Sequence, residues 1–386
     1  MRVLMMNSSS DFYGASKVFY DVASTLTQND IQVYVVLSSD GILAEKLSLI
    51  GVKVQILRLG VIRRKYLNIG GLFNRLYFLL RSTIIMARLV KRENIQLVYA
   101  NTTAVINGSL LKLFLRQTIT HLWHVHEIVD NSIVFNRLIS FLIIHGCDKC
   151  VGVSDAVVNH WSNQLAQSER KKFIRIYNGY HLKDFANSTL RTELDIPLNN
   201  IVLTMVGRIS KIKGQDFFVE IALELLKIRD NITFIVVGDV YPGNEWMEDN
   251  LKKKIGSFSQ SIKMLGFRKD IDNILEATDI FVLPSVMPDS LPTTILEAMA
   301  HRLPVVTTVT GGAGEMIKNG INGFHVDVWD VNGAVLKIEE LIENDRIRID
   351  FGEFSLAFLN EQFSYSKFQS EILSMFNDNF ALYNIE

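Results

Sequence analysis

The chain has 386 residues, 48% apolar and 21% charged, with a formal net charge of −1. That length exceeds what one hydrophobic core usually organises, and that composition excludes a disordered or fibrous chain. Two cysteines exclude a disulfide framework, residues 1–7 are too short an apolar run for a signal peptide, and the best apolar run, 138–144, stops at His145, short of a membrane span. The expected location is the cytoplasm.

In chain order, apolar and β-branched runs predict strands at 3–6, 33–37, 52–57, 97–100, 118–125 and 149–153. Helical periodicity fills 15–27, 73–91, 105–115 and 154–164 between them. The chain then turns at Asn178-Gly179-Tyr180-His181 and crosses a polar stretch, 187–200. A second series follows, with strands at 201–206, 233–237, 262–265, 280–283, 305–308 and 324–326. Its helices are expected at 215–229, 245–255, 271–277, 292–300 and 331–342. Such alternation predicts an α/β chain of two doubly wound domains, 1–182 and 183–386, with ligands at the carboxyl ends of both sheets. The last helix, about 363–383, is expected to pack back toward the first domain.

The small net charge hides a gradient. Residues 1–190 hold 22 Lys+Arg against 12 Asp+Glu, and the remainder 18 against 29. The halves should therefore face different partners. Between residues 58 and 92, Arg63, Arg64, Lys65, Arg75, Arg81, Arg88, Lys91 and Arg92 alternate with Leu, Ile, Phe and Tyr. This suits a helix lying on an anionic membrane, or equally a long surface helix with a solvated basic face. Nucleic acid is not an expected partner.

Three stretches could carry chemistry. Gly207-Arg208-Ile209-Ser210-Lys211-Ile212-Lys213-Gly214 joins a strand to a helix, so free backbone N–H groups, Arg208 and Lys213 could hold a diphosphate. Asp289-Ser290-Leu291-Pro292 leads into a helix where Glu297 sits among apolar neighbours. One carboxylate on the loop and another on the helix can accept hydrogen bonds from hydroxyls at two separated places on a sugar nucleotide; alternatively Asp289 caps the helix and Glu297 faces solvent. His124 and His126 fall on one face of a strand, with His126 nearer its carboxyl end. Glu127 faces away on that alternation, which argues against a metal. Cys147 and Cys150 likewise have no second pair to complete a zinc site.

In their order and spacing these stretches resemble retaining glycosyltransferase family 4, of the two-domain GT-B architecture with Rossmann-like halves. The resemblance includes Asn178-Gly179, Val206-Gly207-Arg208 with Lys213-Gly214, Val237-Gly238-Asp239, Leu265-Gly266-Phe267, the Asp289/Glu297 pair and Gly311-Gly312-Ala313-Gly314-Glu315. It implies a nucleotide-sugar donor, a saccharide or lipid-linked acceptor, and transfer without metal or cofactor, as in bacterial surface-polysaccharide or lipopolysaccharide synthesis. Arg208 and Lys213 would contact the donor diphosphate, Glu297 the ribose, and Leu265, Gly266 and Phe267 the base. Asp289, Ser290, Leu291 and Pro292 would face the transferred sugar, and His126 the sugar or the reacting centre. Gly14, Gly207 and Gly238 would line the donor site. Three departures stand out: Asp289 replaces the usual glutamate, Tyr13-Gly14 the usual glycine pair, and His181 the usual aspartate after the linker glycine. A sugar-nucleotide epimerase or a non-catalytic sugar-nucleotide-binding subunit would share this architecture. A nicotinamide dehydrogenase is disfavoured, since no Gly-x-Gly-x-x-Gly follows the first strand.

Overall fold

A computed structural model describes residues 1–61, 68–129 and 133–383. The chain divides into two compact units, residues 1–179 with 366–386, and 180–365.

The first unit runs β1 (Arg2–Asn7), α1 (Ala15–Gln28), β2 (Gln32–Leu37), α2 (Ile42–Leu49), β3 (Lys53–Ile56), α3 (Ile69–Arg92), β4 (Leu97–Asn101), α4 (Asn107–Leu115), β5 (Thr120–Val125), α5 (Ile133–Gly146), β6 (Lys149–Gly152), α6 (Asp155–Ser162), α7 (Gln167–Arg170) and β7 (Phe173–Arg175). Its seven strands are all parallel, in the order β3-β2-β1-β4-β5-β6-β7. The order reverses between β1 and β4, the switch point where an open α/β sheet leaves a crevice. Helices cover both faces, so β1 and β4 are apolar almost throughout and reach Asn only at their carboxyl ends, Asn7 and Asn101.

The second unit runs α8 (Leu190–Glu193), β8 (Ile201–Val206), α9 (Gln215–Leu225), β9 (Ile232–Val237), α10 (Glu245–Ile255), β10 (Ile262–Gly266), α11 (Ile271–Leu275), β11 (Ile280–Leu283), α12 (Thr293–Ala300), β12 (Val305–Thr308), α13 (Ala313–Met316), β13 (Gly323–Val326), α14 (Val331–Glu343) and α15 (Asp345–Gln362). Its six parallel strands are ordered β10-β9-β8-β11-β12-β13, with the switch point between β8 and β11. The final helix, α16 (Tyr365–Tyr383), lies almost wholly in the first unit. There Phe376 packs 5.8 Å from Tyr99 of β4, which also meets Phe19 of α1 at 6.2 Å and His124 of β5 at 5.9 Å.

Seven elements were absent from the sequence reading: α2, α5, β7 and α15, and the one-turn helices α7, α8 and α13. α5 reads Ile-Val-Phe-Asn-Arg-Leu-Ile-Ser-Phe-Leu-Ile-Ile and shows no polar face, because its outward side carries Ile133, Val134 and Phe141, all exposed. β7 is a three-residue edge strand. α3 starts before residue 73 because Asn68 caps it, its side chain accepting from Gly71 N at 2.7 Å. The basic positions Arg63, Arg64 and Lys65 lie outside the described residues. Among the described residues no helix is long and apolar enough to cross a membrane.

Candidate active site

In the second unit, five strand-end loops interlock through their backbones. Gly207 N–H donates to Val237 O and Gly238 N–H to Gly266 O, at 2.9 and 2.8 Å. Gly238 (φ +137°) lies so close to Gly207 that a Cβ would sit 2.1 Å from its carbonyl oxygen. Gly311 (φ +69°) presses as tightly on Asp289 O, and Gly312 N–H donates to that oxygen at 2.7 Å. These contacts require glycine on both steric and conformational grounds. Gln215, buried at the start of α9, ties the first loop down: its amide donates to Arg208 O at 3.0 Å and its oxygen accepts from Ser210 N at 3.3 Å.

On this frame Lys213 Nζ donates to Asp289 Oδ2 at 2.5 Å, so the residues after β8 and after β11 meet across the switch point. An ammonium has three N–H donors, and one carboxylate oxygen uses only one. Arg208 lies over the Tyr241 ring at 3.7 Å. Asp289 does not cap α12; Pro292 occupies the cap position, and Ser290 and Leu291 belong to the loop before it. Glu297 is half-buried within α12, near enough to Tyr180 to help burial push that phenol up. Leu265 and Gly266 end β10, and Phe267 beyond them is 50% exposed.

The first unit brings a different set together. His126, just past β5, donates Nε2–H to Asn101 Oδ1 at 2.8 Å. Asn101 Nδ2 donates to Asn7 Oδ1 at 2.9 Å and to Ala15 O at 3.0 Å. Asn7 Nδ2 donates to Ser9 O at 2.9 Å and Ser16 Oγ at 3.1 Å. Backbone carbonyls only accept, so Ala15 O and Ser9 O fix the orientation of both amides. Asn101 must then offer oxygen to His126, which sets the imidazole as the Nε2–H tautomer with its lone pair on Nδ1. Burial lowers the His126 pKa to about 3, so the ring is neutral.

The His124 ring lies against His126, tilted by 35° with centroids 4.3 Å apart, and its Nδ1 meets the Tyr99 hydroxyl at 2.5 Å. The Glu127 carboxylate accepts from the backbone N–H of Thr103 at 3.0 Å and of His126 at 3.2 Å. Cys147 precedes β6 and Cys150 lies within it; both are buried and free, and burial raises both thiols. Gly14 caps α1 at φ +46° with open space around it. Sequence reasoning missed Asn7, Asn101, Gln215 and Tyr241. The signal for the first two was an amide closing an apolar strand.

Two parallel-sheet units, with a cationic glycine loop at the switch point of the second, are the GT-B architecture. Residues 12–184 match the family model for Glycosyltransferase Family 4, and residues 187–356 that for Glycosyl transferases group 1. Each model covers a little under half of the chain, and together they make it a glycosyltransferase of the family 4 type. Escherichia coli UDP-Gal:alpha-D-GlcNAc-diphosphoundecaprenol alpha-1,3-galactosyltransferase is 26% identical over 70% of this chain and 72% of its own. The lipopolysaccharide core biosynthesis glycosyltransferase LpsE of Rhizobium meliloti is 29% identical over 50% of this chain and 55% of its own. The crystal structure of Anabaena HepE in complex with UDP and glucose superposes with a TM-score of 0.81 at 23% identity, covering 98% of this chain and 99% of that one.

Proposed function

We propose that this enzyme transfers a hexose, with retention at the anomeric carbon, from a uridine-diphosphate sugar to a lipid-linked saccharide of the cell surface. The observation that carries the proposal is the Lys213–Asp289 contact on the glycine-locked frame beside Arg208. Two N–H groups of Lys213 remain for a diphosphate oxygen, and Arg208 adds a planar fork. Positive charge is thus held where the leaving diphosphate gains negative charge, and no metal is needed for that task. The leaving phosphate then takes the acceptor proton. Asp289 Oδ1 is left to accept from a sugar hydroxyl, and Glu297 takes the ribose. A neutral His126 with its lone pair on Nδ1 accepts a hydrogen bond from a hydroxyl and does not serve as an acid at neutral pH.

The uridine donor is supported by the UDP held in Anabaena HepE, and the lipid-linked acceptor by the undecaprenol-linked substrate named for the E. coli relative. A nucleotide-sugar panel with proton NMR of the product tests the reading. Expected are hydrolysis or transfer confined to uridine donors, persistence in EDTA, and a product of the donor's anomeric configuration. An inverted product, or activity abolished by EDTA and restored by a divalent cation, would overturn it. Glu297→Gln should weaken UDP binding by roughly 1.5–3 kcal/mol, and Asp289→Asn should spare it while slowing transfer. Calorimetry giving the reverse order would exchange the two assignments.

A further inference from the structure

We propose that the amino-terminal half of α3 inserts its outward apolar side chains into the headgroup region of an anionic lipid bilayer. This deepens the acceptor half of the reading above and rests on a lipid-linked acceptor.

The start of α4 fixes where α3 leaves the body of the unit. Asn107 Nδ2 donates to Ser82 Oγ at 2.9 Å and to Thr83 Oγ1 at 3.0 Å, and lies 3.4 Å from Leu79 O. Residues 69–78 of α3 therefore run past the beginning of α4, by about 15 Å at 1.5 Å per residue. Their inner side is occupied: Leu59 and Val61 are buried, and Gly60 sits so close that a Cβ would lie 2.4 Å from Arg75 O. Their outer side is bare. Leu72, Phe73, Leu76, Tyr77, Leu80 and Ile84 are 43–69% exposed. At 100° per residue these six share an arc of roughly 140°. So large an apolar arc on a surface helix marks an interaction face.

Charge selects the partner. Residues 46–126 contain thirteen Lys and Arg and one acid, Glu93, which sits at the opposite end of α3 and pairs with Arg92. Arg81 and Arg88 project beside the apolar arc and have no ion-pair partner among the described residues. Arg58 lies over the Phe78 ring at 4.6 Å. An apolar stripe edged by cations, on a helix parallel to the surface it meets, matches the depth profile of a bilayer interface bearing negative headgroups. α5 adds to the same edge: in an all-parallel sheet each crossover helix begins at the carboxyl end, so Ile133 and Val134 of α5, 73% and 81% exposed, start on the same edge as α3 and His126. Docking there brings a membrane-held acceptor to the edge of the unit that carries the imidazole.

The test uses the full chain and vesicles of phosphatidylcholine with or without phosphatidylglycerol. Because Cys147 and Cys150 are buried, Phe73→Cys accepts an environment-sensitive dye selectively. Expected are co-sedimentation with the anionic vesicles, a blue shift of the dye on binding, and partial retention at high salt where a purely screened contact would vanish. The variant Phe73→Glu, Leu76→Glu, Tyr77→Glu should lose vesicle affinity by about tenfold or more, with circular dichroism and donor hydrolysis unchanged. Equal binding by parent and triple variant, or a dye that does not shift, overturns the proposal. So does a parent dimer that the triple variant converts to monomer, since a second copy would then cover the face. Vesicle binding without donor hydrolysis would instead sink the transferase reading and leave the docking face standing.

Discussion

The two units share one architecture and build opposite kinds of recognition on it. In the second, the loops at the switch point are held by backbone against backbone, with Gly207, Gly238, Gly311 and Gly312 each in close contact, and the functional side chains are charged. In the first, side chains tie the corresponding loops together, and the group presented is the end of a neutral amide–amide–imidazole series, His126. A frame of fixed N–H groups and cations answers a diphosphate, whose charge is constant. A half-buried, neutral, orientation-locked acceptor answers a hydroxyl, which rotates to suit it. The difference teaches that a doubly wound sheet supplies only the place; loop chemistry decides between anion and hydroxyl.

Charge removal in the second unit should break the comparison most severely. Arg208→Ala and Lys213→Ala should each slow single-turnover transfer by about a hundredfold, as loss of a group facing developing charge does. Parent-like rates in both would mean that the neutral set of the first unit carries the chemistry. Next comes the glycine frame: Gly311→Ala must accept φ +69° and a carbonyl 2.1 Å from its Cβ. It should destabilise the second unit by at least about 1–3 kcal/mol, read as lost amide-exchange protection there and not in the first unit.

Acid sharpens the contrast from the other side. Burial holds the folded pKa of His121 at about 4 and of His126 at about 3, against an ordinary 6.5. Above pH 6.5 both states are neutral and nothing changes. As pH falls below 6.5 the unfolded chain takes up protons that the folded unit refuses, so stability drops until the folded values are reached. By pH 5 each ring should have removed about 2 kcal/mol from the first unit. Amide exchange at pH 7 and pH 5 should show that loss in the first unit, and His121→Gln should reduce it; a pH-independent first unit would mean the rings are not buried neutral. The smallest effect is the subtlest: Asn101→Leu removes the acceptor that fixes the His126 tautomer. Transfer should fall about tenfold with UDP affinity intact, a loss of about 1.4 kcal/mol. Nitrogen-15 shifts of His126 should change from a single Nε2–H form to a mixture. A parent already mixed would remove Asn101 from its positioning role.

Most strands of both series were legible because they are buried on two faces and read as short apolar runs. α5 was not, since its exposed side is as apolar as its buried one, and periodicity has nothing to contrast. The cationic loop and the Asp289/Glu297 spacing were visible as residue types in order, yet the Lys213–Asp289 contact joins positions 76 apart, a distance only the parallel β8–β11 pairing closes. Gln215 and Asn101 escaped notice for a related reason. Their work is to hold other groups by hydrogen bonds, and nothing in an isolated amide distinguishes that from a solvated surface.

The C-terminal helix has a practical consequence for anyone dividing this enzyme. Because α16 returns to the first unit, the polypeptide passes between units twice, and the two passages are zipped together: Tyr180 N–H donates to Phe363 O at 2.7 Å, Tyr365 N–H to Tyr180 O at 3.1 Å, and the His181 and Tyr365 rings lie 3.5 Å apart. A protease nick in either passage leaves the halves joined by the other. A shortened chain ending before residue 366 loses Phe376 and uncovers Tyr99, the residue beneath His124. The separable pieces are the insert 180–365 alone, and a first unit whose residue 179 is spliced directly to 366.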